Sequence, residues 1–405
     1  MKAIILSVGN EVLSGRVINT NTSYLSQQLE KIGYDVVKTV VVGDDEAMLT
    51  NEVLSFVNSE YDVLITTGGL GPTHDDFTKE VICKTFGYDL VLREEALNTI
   101  KRYYKKEFAH SNIKQAYFPE NAILLENSCG TAMGAILENK GKSVILLVGP
   151  PMELIPMYEN GAEPYLKSLL DENFLIHEFI VMGIGESSAE DYLEEYFNKF
   201  PHVNIAPYAN LGKIRYQITA LQAYQENFNK AVDEFRRLMD KYITSEENKD
   251  IEEVLVSLLK EKGYKISFAE SCTGGKLASK IINVDGSSAV INESLVTYSN
   301  EAKVKYLNVS NESISKYGVV SNQVVLEMVE GLKKLTDSDI CVSVSGIAGP
   351  TGGSIEKPVG LVHYAISTPK GIICEHQVFR GNRNNIRERA TLYILYRVYK
   401  ILLEK

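Results

Sequence analysis

Two hydrophobic periods alternate along the first ninety residues, and this rhythm constrains the fold more than any other feature. Apolar runs (KAIILSVG from Lys2, YDVVKTVVVG from Tyr34, YDVLITTGG from Tyr61) are separated by stretches with helical spacing (NTNTSYLSQQLEKIG, DDEAMLTNEVLSFVNSE, DDFTKEVICKTFG). A β-α-β-α-β order predicts a parallel sheet with right-handed crossovers and helices on both faces. Loops following parallel strands gather at the carboxyl edge of such a sheet, where open α/β folds bind ligands. The loops GNEVLSG, GDDE and TTGGLGPTHDD are therefore expected to converge on one site.

The chain is 405 residues long, too long for one ordinary core, and three domains are expected. The first spans 1–170, a smaller α+β unit follows over 171–248, and the third covers 249–405 after the polar segment SEENKD. The first domain adds a helical stretch from Arg93 to Phe108, strands at AILLE and SVILLVG, and a helix from Pro151 to Leu170 interrupted by Pro156 and Pro164. In the third, strand KISFAE leads into AESCTGG, and TYSNEAK opens a helix capped by Ser299 or Asn300. Strand DICVSVSG, loop GIAGPTGG, a hairpin at TPKG and a long last helix complete it.

A net charge of −11 disfavours direct nucleic-acid binding, which needs clustered Lys and Arg on one face. The run KRYYKK (Lys101–Lys106) reads as the solvated face of a helix. The longest apolar runs are too short to span a bilayer, so no membrane role is expected. Five scattered cysteines give neither a disulfide framework nor a zinc pattern, which points to the reducing cytoplasm.

Glycines in TTGGLGPTHDD let backbone approach a ligand and leave N–H groups for phosphate oxygens. Glu11, Asp44, Gly68, Gly69, Asp75, Asp76 and Thr78 are the site residues expected here. Asp75 and Asp76 are candidate ligands for Mg or a similar divalent cation, against the plainer reading that they cap the next helix. With GNEVLSG, TGGLGP followed by DDFT, and SCGTAMG, this domain resembles the three-layer molybdopterin-binding fold. Adding AESCTGG, GSSAV, TYSNEAK, SGIAGPTGG and EKPVG, the chain resembles the CinA family over essentially its whole length. The family pattern often has Asp where Asn10 stands, and Pro at the positions of Met133 and Val148.

That resemblance implies an α/β C-terminal domain hydrolysing nicotinamide mononucleotide to nicotinic acid mononucleotide and ammonia without a cofactor. It also implies hydrolysis of ADP-ribose with a divalent cation in the first domain, and a homodimer. A metal-free amidase needs a nucleophile, a base and oxyanion donors. The resemblance favours Ser288 as nucleophile with Lys303 as base and Tyr298 nearby; Ser271 is the alternative. Lys303 qualifies as a base only if burial lowers its pKa. Cys272 sits at a helix start without a histidine partner and is expected to be packed. His363 is expected to be a strand residue. Glu270 is assigned either to orient Lys303 or a ribose hydroxyl, or to structural hydrogen bonding. Thr273, Gly274, Gly275, Ser345 and Gly346 are expected to cradle substrate, with Arg383, or else Arg387 or Arg389, anchoring phosphate. The rival from another class is a competence- or damage-related nucleotide-binding protein with vestigial sites.

Overall fold

The computed structural model describes residues 1–105, 107–170 and 174–404. Lys106, the last residue of the basic run, and residues 171–173 at the expected domain boundary lie outside the described residues. The chain divides into two compact units, Met1–Phe174 and Leu175–Lys405, where three domains were expected.

In the first unit six strands form one sheet: β1 (Lys2–Val8), β2 (Asp35–Val42), β3 (Val63–Thr67), β4 (Ile123–Leu125), β5 (Gly134–Asn139) and β6 (Lys142–Leu147). Their order is β2-β1-β3-β6-β5-β4. β2, β1, β3 and β6 are mutually parallel, as the alternation predicts. β5 runs antiparallel to β6, and β4 runs antiparallel to β5, which returns β4 to the direction of the other four. Strand β5 went unread in the sequence, although Ala135–Leu137 followed by the turn at Lys140 and Gly141 is a hairpin signal. β3 is buried along its whole length, as a central parallel strand must be.

Four helices matter to the site: α1 (Thr20–Lys31), α2 (Glu46–Val57), α3 (Thr78–Phe86) and α4 (Glu94–Tyr104). Asn19 caps α1 by accepting from the Thr22 amide at 3.0 Å, and Asp45 caps α2 by accepting from Met48 at 2.8 Å. Helix α4 stops at Tyr104, short of Phe108, because Lys105 turns left-handed with φ 55°. The Pro151–Ser168 stretch passes through a π-helical turn at Tyr158–Ala162, between Pro156 and Pro164.

The second unit holds two sheets. The smaller has β7 (Phe174–Val181), β8 (Asn204–Asn210), β9 (Lys213–Leu221) and β10 (Ile243–Ser245) in the order β8-β9-β7-β10, with α5 (Glu186–Phe197) and α6 (Gln225–Met239). The larger part is built from α7 (Ile251–Lys262), β11 (Ile266–Glu270), α8 (Lys276–Ile282), β12 (Ile291–Val296), α9 (Asn300–Leu307), α10 (Asn322–Thr336), β13 (Ile340–Gly346), β14 (Leu361–Thr368), β15 (Gly371–Val378) and α11 (Arg383–Leu403). Its sheet runs β12-β11-β13-β14-β15. β12, β11 and β13 are parallel; β14 and β15 form the antiparallel hairpin expected at TPKG.

These two parts share one unit because β7 feeds both interiors. Phe179 and Val181 pack in the small α+β core. Ile180 and Met182 belong to the core that α11 covers with Leu392, Leu395 and Tyr396. Alternation along a strand sends successive side chains to opposite faces, so one strand serves two cores.

Candidate functional site

β11 ends at Glu270 and the chain turns sharply through Ser271–Gly275 into α8. The turn needs glycine at 274 and 275, where φ is +63° and +89°. The Ser271 amide donates to the Val344 carbonyl at 3.1 Å, which pins the turn to β13. Next to it, α9 begins after β12, and the Ser299 hydroxyl accepts from the Ala302 amide at 3.1 Å as the predicted cap. This start sends Lys303 inward, where it is 1% exposed.

Lys303 Nζ lies 3.1 Å from Ser271 Oγ, 2.8 Å from the Thr297 carbonyl and 3.1 Å from the Tyr298 carbonyl. None of these partners carries a charge. Burial therefore dominates and lowers the lysine pKa to about 8. A buried, near-neutral amine at hydrogen-bond distance from a hydroxyl can take its proton.

The expected pairing of Ser288 with Lys303 is not formed. Ser288 is exposed in a 3-10 turn, Ser287–Ala289, that precedes β12. Next to this turn, the Val290 carbonyl accepts from Ile266, the first residue of β11, whereas Ser271 follows the last. Five residues of strand rise separate those ends, roughly 16 Å. The pairing favoured by the resemblance therefore gives way to its alternative, Ser271, because β12 carries the chain from the Ser288 end of the sheet to the Lys303 end.

Glu270 is fully buried, but it neither orients Lys303 nor faces a ligand. Its carboxylate accepts from the amides of Gly275, Leu277 and Ala278 at 2.9, 3.2 and 3.0 Å. The positive end of α8 is thus occupied from within, which corrects the reading of this turn as an anion cradle. Thr273 is buried and its hydroxyl finds no partner among the described residues. Cys272 is buried and its thiol is pushed up to about 12, chiefly by desolvation.

Arg383 reaches the Gly349 carbonyl at 2.7 Å and the Tyr298 hydroxyl at 3.2 Å, bringing the glycine loop and the exposed tyrosine together. One helical turn later, Arg387 donates to the carbonyls of Cys272 and Thr273 at 3.0 and 2.7 Å. Its fork holds the Ser271 turn. The Ser345 hydroxyl donates to Val319 at 2.9 Å, an internal bond in place of the expected ligand contact. Gly346 is a packing position, since a Cβ there would lie 2.7 Å from Val362 and 3.0 Å from the Cys272 sulfur. His363 is buried in β14, bonded to Asn322 at 2.6 Å, and burial holds its pKa down at about 4.

In the first unit the three loops do converge. A cavity of about 610 Å³ is lined by Gly9, Glu11, Asp44, Gly68, Gly69, Asp75 and Asp76, joined by Gly130, Thr131 and Tyr103 and Tyr104. Asn10 and Asp44 tie two of these loops through reciprocal bonds, with Asp44 accepting from the Asn10 amide at 3.1 Å and donating its own amide to Asn10 at 3.3 Å. Gly68 and Gly69 adopt φ +99° and +68°. The amides of Gly69, Leu70 and Gly71 have no intramolecular acceptor among the described residues. Thr78 lies buried beneath Gly69, donating its amide to the Gly69 carbonyl at 3.1 Å, and does not line the cavity.

The acids do not form a preassembled metal site. Asp76 accepts from the Thr73 amide and hydroxyl at 3.0 and 2.6 Å, and Asp75 is bonded to the same hydroxyl. Among the described residues no group of three or more His, Cys, Asp or Glu is placed to hold an ion. The residues as arranged do not fit a resident divalent cation.

Comparison with known proteins matches residues 4–168 to the "Probable molybdopterin binding domain", 177–244 to the "Damage-inducible protein CinA KH domain" and 248–402 to the "CinA C-terminal domain". A "Putative competence-damage inducible protein" of Caldicellulosiruptor saccharolyticus is 42% identical over 398 residues, covering 96% of this chain and 97% of its own. The chain belongs to the CinA family. A "CinA-like protein" of Kosmotoga olearia is also 42% identical, over 100% of this chain and 99% of its own. A crystal structure of the competence/damage inducible protein CihA from Agrobacterium tumefaciens aligns at 38% identity over 38% of this chain and 95% of that chain, with a TM-score of 0.36. No described helix is long and apolar enough to cross a membrane.

Proposed function

We propose that the second unit of this CinA family member is a metal-independent Ser/Lys amide hydrolase acting on nicotinamide mononucleotide. The observation that carries the reading is the buried Lys303 amine, with a pKa near 8, lying 3.1 Å from Ser271 Oγ. Neutral Lys303 takes the Ser271 proton as Oγ bonds to the carboxamide carbon. Breakage of the C–N bond returns that proton to the leaving nitrogen, and ammonia departs. Water then attacks the acyl ester, giving a proton to Lys303, which passes it to Ser271 Oγ as the ester C–O bond breaks and nicotinic acid mononucleotide leaves. The backbone N–H groups of the Ser271 turn are the donors assigned to the developing oxyanion. The test is ammonia release by the full-length protein in EDTA. Ser271→Ala and Lys303→Met should each lower kcat by about 10³-fold or more, while Ser288→Ala stays within about twofold. Full activity in Ser271→Ala would sink the assignment.

A second reading concerns the first unit. We propose that its cavity takes a phosphorylated ligand of the ADP-ribose class, with phosphate on the unpartnered amides of Gly69–Gly71. No hydrolytic step is assigned to it, because the acids are engaged by Thr73. Titration of the full-length protein with ADP-ribose tests this directly, and saturable binding lost in Gly69→Val is the expected result.

A further inference from the structure

We infer that Tyr103 and Tyr104, at the end of α4, form a wall of the first unit's cavity that binds the planar base of a nucleotide whose phosphate lies on the Gly69–Gly71 turn. This rests on reading the cavity as a site for a phosphorylated ligand. The two tyrosines are 55% and 40% exposed, yet both line the cavity. Large rings left open to water beside a polar turn offer stacking surface that a ligand ring can cover.

The rings are held in place. Tyr104 stacks on Phe108 with centroids 6.1 Å apart, and Tyr103 meets Tyr104 edge-on at 5.4 Å. A buried polar relay fixes their distance from the glycine turn. The Tyr104 hydroxyl accepts from Asn112 Nδ2 at 3.3 Å, the same Nδ2 donates to Gln115 Oε1 at 3.2 Å, and Gln115 Nε2 donates to the Leu70 carbonyl at 3.5 Å. Asn112 and Gln115 are 4% and 3% exposed, and Thr131 on the cavity wall donates to Gln115 at 3.2 Å. Burying two amides is costly unless their bonds are made, so this link between turn and ring wall is rigid. Val17 and Ile18, both exposed, add apolar surface to the same cavity. A ligand joining a flat ring to phosphate through a sugar matches this arrangement.

The test is calorimetric titration of the full-length protein with ADP-ribose and, as a ringless probe, ribose 5-phosphate. Tyr103→Ala and Tyr104→Ala should each weaken ADP-ribose about tenfold or more, in the range of base–aromatic stacking, and change ribose 5-phosphate less than about twofold. Tyr104→Phe keeps the ring and should retain most of the affinity. The chain has no tryptophan, so Tyr103→Trp supplies a single indole, excited selectively at wavelengths longer than tyrosine absorbs, whose emission ADP-ribose should quench and ribose 5-phosphate should not. Unchanged ADP-ribose affinity in both alanine variants, or equal losses for both probes, overturns the ring wall while leaving the phosphate reading in place. Binding of neither probe by the wild-type protein overturns both.

Discussion

At the scale of single residues, the second site is defined by what Lys303 lacks. Three neutral partners and deep burial leave its ammonium without a counter-charge, so the folded pKa falls from 10.5 to about 8. As a base it must be neutral, and kcat/KM for nicotinamide mononucleotide should rise with pH through a midpoint near 8, read from a pH-rate profile. The folded state loses this proton before the unfolded state does. Between about pH 8 and 10.5 unfolding therefore takes up a proton, and stability should increase with pH across that window. Denaturant midpoints of wild type should accordingly rise relative to Lys303→Met over that interval. Cys272 offers a separate check. Its buried thiol, held near 12, should resist iodoacetamide at pH 8 while exposed Cys129 is alkylated, as peptide mass spectrometry would show. The chemistry of Lys303 was legible in the sequence, but its partner was not. Ser288 and Ser271 are both serines in glycine-containing turns, and only the direction of the strands separates them.

At the scale of elements, the position of Lys303 depends on how closely α9 lies against α10. Gly331 on α10 faces the α9 terminus, and a Cβ there would overlap the Leu307 carbonyl. Backbone cannot yield as a side-chain tip can. Gly331→Ala should cost about 1–3 kcal/mol in a denaturation experiment and should also lower kcat, because α9 carries Lys303. Arg387→Lys keeps the charge but loses the planar fork that reaches two carbonyls of the Ser271 turn, and kcat should fall roughly tenfold with KM little changed. The alternating apolar runs gave away the parallel strands and most helices. Short elements without a full period, such as β10 and the helix Asn311–Tyr317, escaped, since three to seven residues carry too little pattern to register. For Glu270 the sequence left a ligand role and structural hydrogen bonding open, and the structure shows the second, with the carboxylate turned back onto the amides of the helix it precedes.

At the scale of the molecule, the interiors of Met1–Phe174 and Leu175–Lys405 are built from separate sets of side chains. Heating should give two calorimetric transitions, and ADP-ribose should raise only the one belonging to the first unit. Sequence composition marked a border at SEENKD, and the chain does change character there. Contacts ignore it. Ile180 on β7 and Met182 just after it pack into the interior beneath α11, Gly183 leaves room for Tyr396, and Gly212 lies against Leu392. A break in the alphabet is thus not a break in the solid. Scission near Asn248 would not release a finished body but would strip the cover from Leu392 and Tyr396, baring greasy surface that must find water, detergent or another protein chain.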